Sequence, residues 1–284
     1  MLVYLNGEWI PAEEARVSVF DRGFIFGDSV YEVIPVYGYK PFRVAAHVKR
    51  LKESLAAVGM DKQRLDLEWQ SFFDQLAETL TSGDGSIYLQ ISRGTAPRQH
   101  RFPANAPLTV FAYARAHSPD ADGHSNGIRA ILLDDTRWQR CDIKSTSLIA
   151  NVLLVQEALG QGADEALLVR DGLVNEGAVS NVFAVRSGRL MTAPRSHLIL
   201  GGVTRDLLLE LALLCDIPVE ERAPARVELL DADEVMITSS TREVVAVTHI
   251  DTYTIADGRP GPIFNLLYGA FQEFKDKVRR GLIA

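Results

Sequence analysis

Between residues 114 and 127 the chain reads ARAHSPDADGHSNG, polar and rich in Gly, Ser, Pro and Asp. On either side stand strand-like apolar runs, PLTVFAYA and RAILLDD. A stretch of that composition punctuates two folded regions and has no core of its own. In a chain of 284 residues, long enough for two ordinary cores, it divides the protein. The expected arrangement is an N-terminal domain over 1–116, a linker over 117–127 and a C-terminal domain over 128–284.

Turn residues and hydrophobic periodicity fill in both halves. LVYLNGEWI predicts a hairpin around Asn6-Gly7, and SVYEVIPVYGYKPFRV a second. HVKRLKESLAAVG and LEWQSFFDQLAETL carry helical spacing, and SIYLQISRG returns to a strand. Past the linker, STSLIANVLLVQEALGQG and TRDLLLELALLCD predict helices. EALLVRDGLVNEG and SNVFAVRSGRLMT predict strand pairs turning at Asp-Gly and Ser-Gly, and DEVMITSS a further strand. Hairpins and meanders mixed with helices give a two-domain α/β (α+β) protein, and catalytic pockets commonly lie at such domain boundaries.

Charge and cysteine usage remove several classes of function. A formal net charge of −7 without a basic stripe argues against nucleic acid or anionic membrane as the main partner. LLLELALLC is short and broken by Glu210, a core helix instead of a membrane span. Cys141 and Cys215 have no metal-type or CxxC spacing, the six histidines are scattered, and no metal site is expected. With no basic-then-apolar signal pattern in MLVYLNGEWIPAEEA, a cytoplasmic location is expected.

Lys144 is the only lysine between Lys62 and Lys275, and it stands before the apolar SLIANVLLV. A lysine in such surroundings serves as a nucleophile when desolvation favours its neutral amine; it can equally be a side chain snorkelling from a helix end. Glu176 in LVNEGAVSNVFAV lies at a strand–turn junction among apolar residues. It is either a solvated turn glutamate or a buried acid that needs a partner, such as a pyridine nitrogen. GGVTRDLLLELA places two glycines, Val203 and Thr204 at a helix start, where free amides suit a phosphate; MITSSTRE adds Ser239 and Ser240. Both segments also fit ordinary caps and loops. In SRGTAPRQHRFP, Arg98 and His100 are two apart, so in an extended segment both face one way and suit a carboxylate, or a plain basic loop.

Taken in order, DRGFIFGDSVYEV, HVKRL, RGTAPRQHRFP, RWQRCDIKS, NEGAVSNVF, GGVTRD and ITSSTRE resemble the fold-type-IV pyridoxal-phosphate aminotransferases, in particular those acting on D-amino acids, nearly end to end. The resemblance implies that Lys144 is the Schiff-base lysine and that Glu176 pairs with the pyridine nitrogen of pyridoxal 5′-phosphate. Arg50, Thr204 and Ser240 match phosphate contacts, and Leu200 matches the residue that packs on the cofactor ring. Tyr31, Arg98 and His100 match a substrate-carboxylate trap whose last two members come from a partner subunit, which implies a homodimer with shared active sites. The implied substrates are amino acids and 2-oxo acids, D-alanine and 2-oxoglutarate among them.

Four positions depart from the family pattern: Ala178 and Val179 replace common serines, Ser240 a threonine, and Ser29 a glycine. Pro35, in a strand expected to face the substrate, is a further point of difference. Alternatives on the same fold are a branched-chain aminotransferase, an (R)-selective amine transaminase and aminodeoxychorismate lyase. A non-catalytic scaffold is disfavoured by the set Lys144, Glu176 and Arg50.

Overall fold

Turn chemistry and strand alternation set the architecture. In the computed structural model, which describes residues 1–61, 65, 67–117 and 126–283, the chain divides into two units. The first comprises Met1–Ser118, Ile143–Leu148 and Lys277–Ala284; the second comprises Pro119–Asp142 and Ile149–Asp276. Lys144, beyond the linker in sequence, therefore folds with the first unit. Residues 118–125, most of the expected linker, lie outside the described residues.

In the first unit β1 (Leu2–Leu5) turns into β2 (Glu8–Pro11) at Asn6 and Gly7, whose φ angles of 52° and 102° are what an Asn-Gly hairpin turn supplies. Then come α1 (Arg22–Phe26), β3 (Ser29–Tyr37), β4 (Lys40–Pro41), α2 (Val44–Ala57), α3 (Trp69–Glu78), β5 (Gly85–Ser92) and β6 (Thr109–Ala116). The strands order as β2-β1-β6-β5-β3-β4, every pair antiparallel. Alternation sends Val30, Ile34, Ile87, Leu89 and Ile91 to one face, where Leu51, Leu55, Phe72, Phe73 and Leu76 of the helices cover them. Each such side chain removed from water contributes ~1.5–3 kcal/mol. The other face carries Tyr31, Tyr88, Tyr113 and Phe111, whose rings touch in series.

The second unit is a nine-stranded sheet: β7 (Ile128–Asp134), β8 (Glu165–Arg170), β9 (Leu173–Gly177), β10 (Asn181–Arg186), β11 (Arg189–Thr192), β12 (Val219–Glu221), β13 (Glu234–Ser239), β14 (Glu243–Ile250) and β15 (Tyr253–Thr254). The order is β12-β11-β10-β13-β14-β7-β8-β9, with β15 on β14. β7 runs parallel to β8, and the crossover that a parallel pair requires contains α4 (Ile149–Gly160). Both strands are apolar through their middles, Ala130–Leu133 and Ala166–Val169, because both faces are covered there. Leu132 and Leu167 enter one core, while Ile131 and Leu168 enter another with Leu154 and Ala158 of α4.

α5 (Val203–Leu214) and α6 (Arg226–Leu230) follow, and the chain closes on α7 (Pro262–Arg279). Sequence patterning assigned neither α7 nor β14. α7 buries Phe264, Leu267, Phe271 and Lys275, and its first amides, at Ile263 and Phe264, donate to the Glu234 carboxylate at 2.9 and 2.7 Å. Among the described residues no helix is long and apolar enough to cross a membrane.

Candidate active site

Lys144 lies in an irregular segment five residues ahead of α4, not on a helix. Its backbone is held from both sides: Tyr31 N–H donates to the Lys144 carbonyl at 3.0 Å, and Lys144 N–H donates to Ser54 Oγ of α2 at 3.2 Å. Ile143 and Ser145 on either side are buried, and Lys144, at the centre of the tight turn that Ser145 N–H closes onto the Ile143 carbonyl at 2.8 Å, is partly exposed. Its Nζ stands 4.2 Å from the centre of the Tyr31 ring.

A polar chain secures the residues just past it. Tyr88 Oη donates to Gln90 Oε1 at 2.8 Å, Gln90 Nε2 donates to Ser29 Oγ at 3.3 Å, Ser29 Oγ is bonded to Thr146 Oγ1, and Thr146 Oγ1 donates to the Gly27 carbonyl at 3.2 Å. The carbonyl at the end only accepts, which fixes the direction of every link. Tyr88 stacks on Tyr31 at 5.8 Å, and burial pushes its hydroxyl up to about 12. Sequence reasoning noted Ser29 only as a departure and missed Thr146, Gln90 and Tyr88.

Arg50 comes from α2 on the helical side of β3. Its Nε and Nη2 donate to Glu32 at 2.8 and 2.7 Å, and His47 Nδ1 meets the same carboxylate at 2.8 Å. Burial raises the Glu32 carboxyl, but Arg50 outweighs it and holds the group at about 2. Burial lowers His47 against the pull of Glu32. The result is a fixed arginine, braced from behind by an ionised glutamate.

Arg98 and His100 are exposed, and both stand on Phe26. Arg98 Cζ is 5.2 Å from that ring's centre, and the His100 ring is 5.5 Å away. Both residues stand at bends and not in an extended strand, and what they share is the Phe26 ring. Their recorded ring contacts are with Phe26, not with Tyr31.

In the second unit Glu176 stands one residue before the end of β9 with 3% of its surface exposed. Arg137 Nη1 donates to its Oε1 at 2.5 Å; Asn181 Nδ2 and the Leu200 amide donate to Oε2 at 3.2 and 3.0 Å. Burial nonetheless wins, and the carboxyl is pushed from 4.5 up to about 7. Arg137 is anchored in turn by Asp135 at 2.9 and 3.0 Å, and Arg170 reaches that aspartate at 3.0 Å. Arg137, Asp135 and Asn181 were not picked out from sequence, although Arg137 and Asn181 lie inside quoted motifs.

Nearby, α5 starts after Gly202, which offers no side-chain cap to the first amides, and Val203 and Thr204 are buried there. Ser239 Oγ accepts from Arg242 N–H at 3.1 Å at the end of β13, and Ser240 is half-buried beside it. At the departures from the family pattern, Ala178 is buried and Val179 exposed. The hydroxyl that remains, Ser180, donates to the buried Glu165 at 2.9 Å.

The model of the amino-transferase class IV family matches residues 29–250. The chain belongs to the class IV aminotransferases. It is 42% identical over 272 residues to a D-alanine aminotransferase of Bacillus licheniformis, covering 96% of each chain. It is 37% identical to one from Staphylococcus haemolyticus, over 96% of this chain and 97% of that one. Among solved structures, a branched-chain amino acid aminotransferase of Escherichia coli superposes with a TM-score of 0.87 at 26% identity, over 96% of this chain and 93% of that one. One from T.th., solved with pyridoxamine 5′-phosphate, gives 0.86 at 27% identity, over 96% and 93%.

A class IV aminotransferase has pyridoxal 5′-phosphate to hold, and the residues present fit that group. Glu176, poised near neutrality, suits a ring nitrogen with which it shares a proton. A Cβ on Gly202 would collide with Asn181 Oδ1, so only glycine lets the helix start approach this closely. Thr238, paired across the sheet with Asn181, has a buried Oγ1 with no hydrogen-bond partner among the described residues. Uncapped amides and an unsatisfied hydroxyl are what a phosphate dianion takes up.

Proposed function

We propose that this chain is a D-amino acid aminotransferase, exchanging the amino group of a D-amino acid such as D-alanine with a 2-oxo acid such as 2-oxoglutarate to give pyruvate and D-glutamate. The observation that carries the proposal is the 37–42% identity to D-alanine aminotransferases over nearly the whole chain. Beside it, Glu176, a buried carboxyl held by three donors and raised to about 7, has the chemistry of a partner for a pyridine nitrogen. When bound, pyridoxal 5′-phosphate supplies an aldehyde for the amino group and a ring that withdraws electrons from the carbon losing its proton.

The chain's own residues do the rest. Lys144 would hold the cofactor through Nζ, and the same amine would serve as the base that takes the proton from the substrate Cα. Glu176 keeps the ring nitrogen protonated; Arg137 and Asn181 hold Glu176 in place. Arg50, the Val203 amide, Thr204, Ser239 and Ser240 would hold the phosphate, and Leu200 would pack on the ring. Tyr31, Arg98 and His100 hold the substrate carboxylate, which sets the Cα–H toward Lys144 for the D enantiomer.

A homodimer in which Arg98 and His100 serve the partner's substrate is supported by their exposure and by the apolar side chains left open on α4. Ile149 and Leu153 there are 72% and 62% exposed, the kind of surface a second copy covers. A cytoplasmic location accords with the free thiols Cys141 and Cys215.

The solved neighbours favour a second reading, a branched-chain aminotransferase, but at 26–27% identity against 37–42% for the D-alanine enzymes. One assay separates the two. The holoenzyme is given D-alanine, L-alanine or L-leucine with 2-oxoglutarate, and pyruvate and the glutamate enantiomer are followed. D-glutamate from D-alanine is expected, and turnover of L-leucine with no turnover of D-alanine overturns the proposal. Lys144→Ala should abolish the reaction, and borohydride should fix the cofactor to Lys144 and no other residue.

A further inference from the structure

We propose that Phe26 is a positioning residue, a platform that holds Arg98 and His100 in readiness for a substrate carboxylate. The inference rests on the assignment of those two residues as the carboxylate trap. Three side chains of basic type gather on this ring: Arg22 Cζ at 4.8 Å and Arg98 Cζ at 5.2 Å from its centre, and the His100 ring at 5.5 Å.

Their surroundings separate them. Arg22 is buried, and its Nε donates to Asp28 at 2.7 Å. Arg93 takes both oxygens of the same aspartate, at 2.8 and 3.0 Å. Burial raises the Asp28 carboxyl, but the two guanidiniums outweigh it and leave the group below its usual range, an ionised counter-charge for both. The remaining reach of Arg22 goes to the loop: its Nη1 donates to the Gln99 carbonyl at 2.6 Å. Gln99 stands between Arg98 and His100. Fixing that one carbonyl fixes the loop, and the neighbours on either side of it fall together onto Phe26.

Arg98 differs from Arg22 in a way that matters for function. Among the described residues no carboxylate lies within ion-pair reach of it. An aromatic face attracts a guanidinium through its quadrupole and takes none of its N–H donors. An acid at position 26 would hold Arg98 as well, but it would occupy the same donors that an incoming carboxylate needs. The ring therefore restrains the trap without filling it. Phe26 is itself set in place by the end of α1, where Gly27 turns to φ 64° and a Cβ would meet Ser147 Oγ at 2.7 Å.

The test uses the holoenzyme with Phe26→Leu, Phe26→Tyr and Arg98→Ala. Two quantities are read: the KM and kcat for D-alanine, and the Kd for glutarate by calorimetry, a dicarboxylate with no amine or oxo group to react. Phe26→Leu should raise both KM and glutarate Kd about fivefold, from one exposed cation–π contact and the lost preorganisation, while kcat changes by less than about twofold. Phe26→Tyr keeps the ring and should restore both. If Arg98→Ala leaves KM and Kd untouched, the trap is misassigned and the inference falls with it. If Arg98→Ala weakens both and Phe26→Leu does not, the trap stands and the platform alone is refuted. A Phe26→Leu variant that loses kcat at constant KM, or a tyrosine no better than leucine, also overturns it.

Discussion

Glu176→Gln tests the proton chemistry of the site without any turnover. The Glu176 carboxyl is almost fully buried, and burial raises it from 4.5 to about 7 against the pull of Arg137 and the Leu200 amide. A group with its folded value raised holds its proton in both states at low pH, so no penalty exists below about 4.5. Between 4.5 and about 7 only the unfolded chain ionises, and stability falls as pH rises. Above that the full cost stands, at ~1.4 kcal/mol per pH unit about 3 kcal/mol in all. Glutamine keeps the shape and has no proton to lose. In urea unfolding of the cofactor-free protein, the wild type should therefore lose about 3 kcal/mol relative to the variant between about pH 4.5 and 8, a midpoint change of roughly 1 M. Pyridoxal phosphate should stabilise the wild type more than the variant above neutrality, because a ring nitrogen then shares the proton. Two stability curves that run parallel across this interval would refute both the poised carboxyl and the role built on it.

Other substitutions probe the supports. Arg137→Met leaves Glu176 without its guanidinium and Asp135 with Arg170 alone, and should lower stability by ~3–5 kcal/mol in thermal or urea unfolding. An unchanged midpoint would show that the ion pair is not formed. Gly202→Ala drives a methyl group into Asn181 Oδ1 and so disturbs the amide that donates to Glu176; titration followed by fluorescence should show cofactor affinity weakened about tenfold or more. Glu32 behaves opposite in sign to Glu176. Its folded value is depressed to about 2, so its stabilisation is present above about 4.5 and is lost as pH falls toward 2. Glu32→Gln should cost ~3 kcal/mol near neutrality, with the gap to wild type closing in acid. A double-mutant cycle of Ser29→Ala and Thr146→Val should return a coupling of about 1 kcal/mol; zero coupling would remove that link from the chain behind Lys144.

What could be read in advance was whatever a residue decides with its immediate neighbours. Asn6-Gly7 and Asp171-Gly172 take the positive φ that their types favour, and Gly188 supplies it after Ser187, so the hairpins were legible. Lysine and glutamate types at 144 and 176 stand out in the sequence as chemistry, and the roles proposed for them rest on the family motifs. The supports were not legible, because each is a pairing across the sequence: Arg137 with Glu176 over 39 residues, Ser29 with Thr146 over 117. α7 went unassigned for the same reason, since the carboxylate of Glu234 that satisfies its first amides lies about thirty residues upstream. The two lysines on either side of the long lysine-free stretch after residue 144 show how far this goes. Lys144 stands just ahead of a long apolar run, yet it is partly exposed and meets an aromatic ring. Lys275 sits in FQEFKDKV, which reads as solvated, yet it is 2% exposed and bonded to Glu243 at 2.6 Å. Local hydropathy inverts the two because it does not register the carboxylate 32 residues away that makes one burial tolerable. A lysine locked to a buried carboxylate cannot leave it for an aldehyde. Lys144 is held at its backbone by Tyr31 and Ser54, and its Nζ meets the Tyr31 ring and no carboxylate among the described residues, so no ion pair ties up the amine.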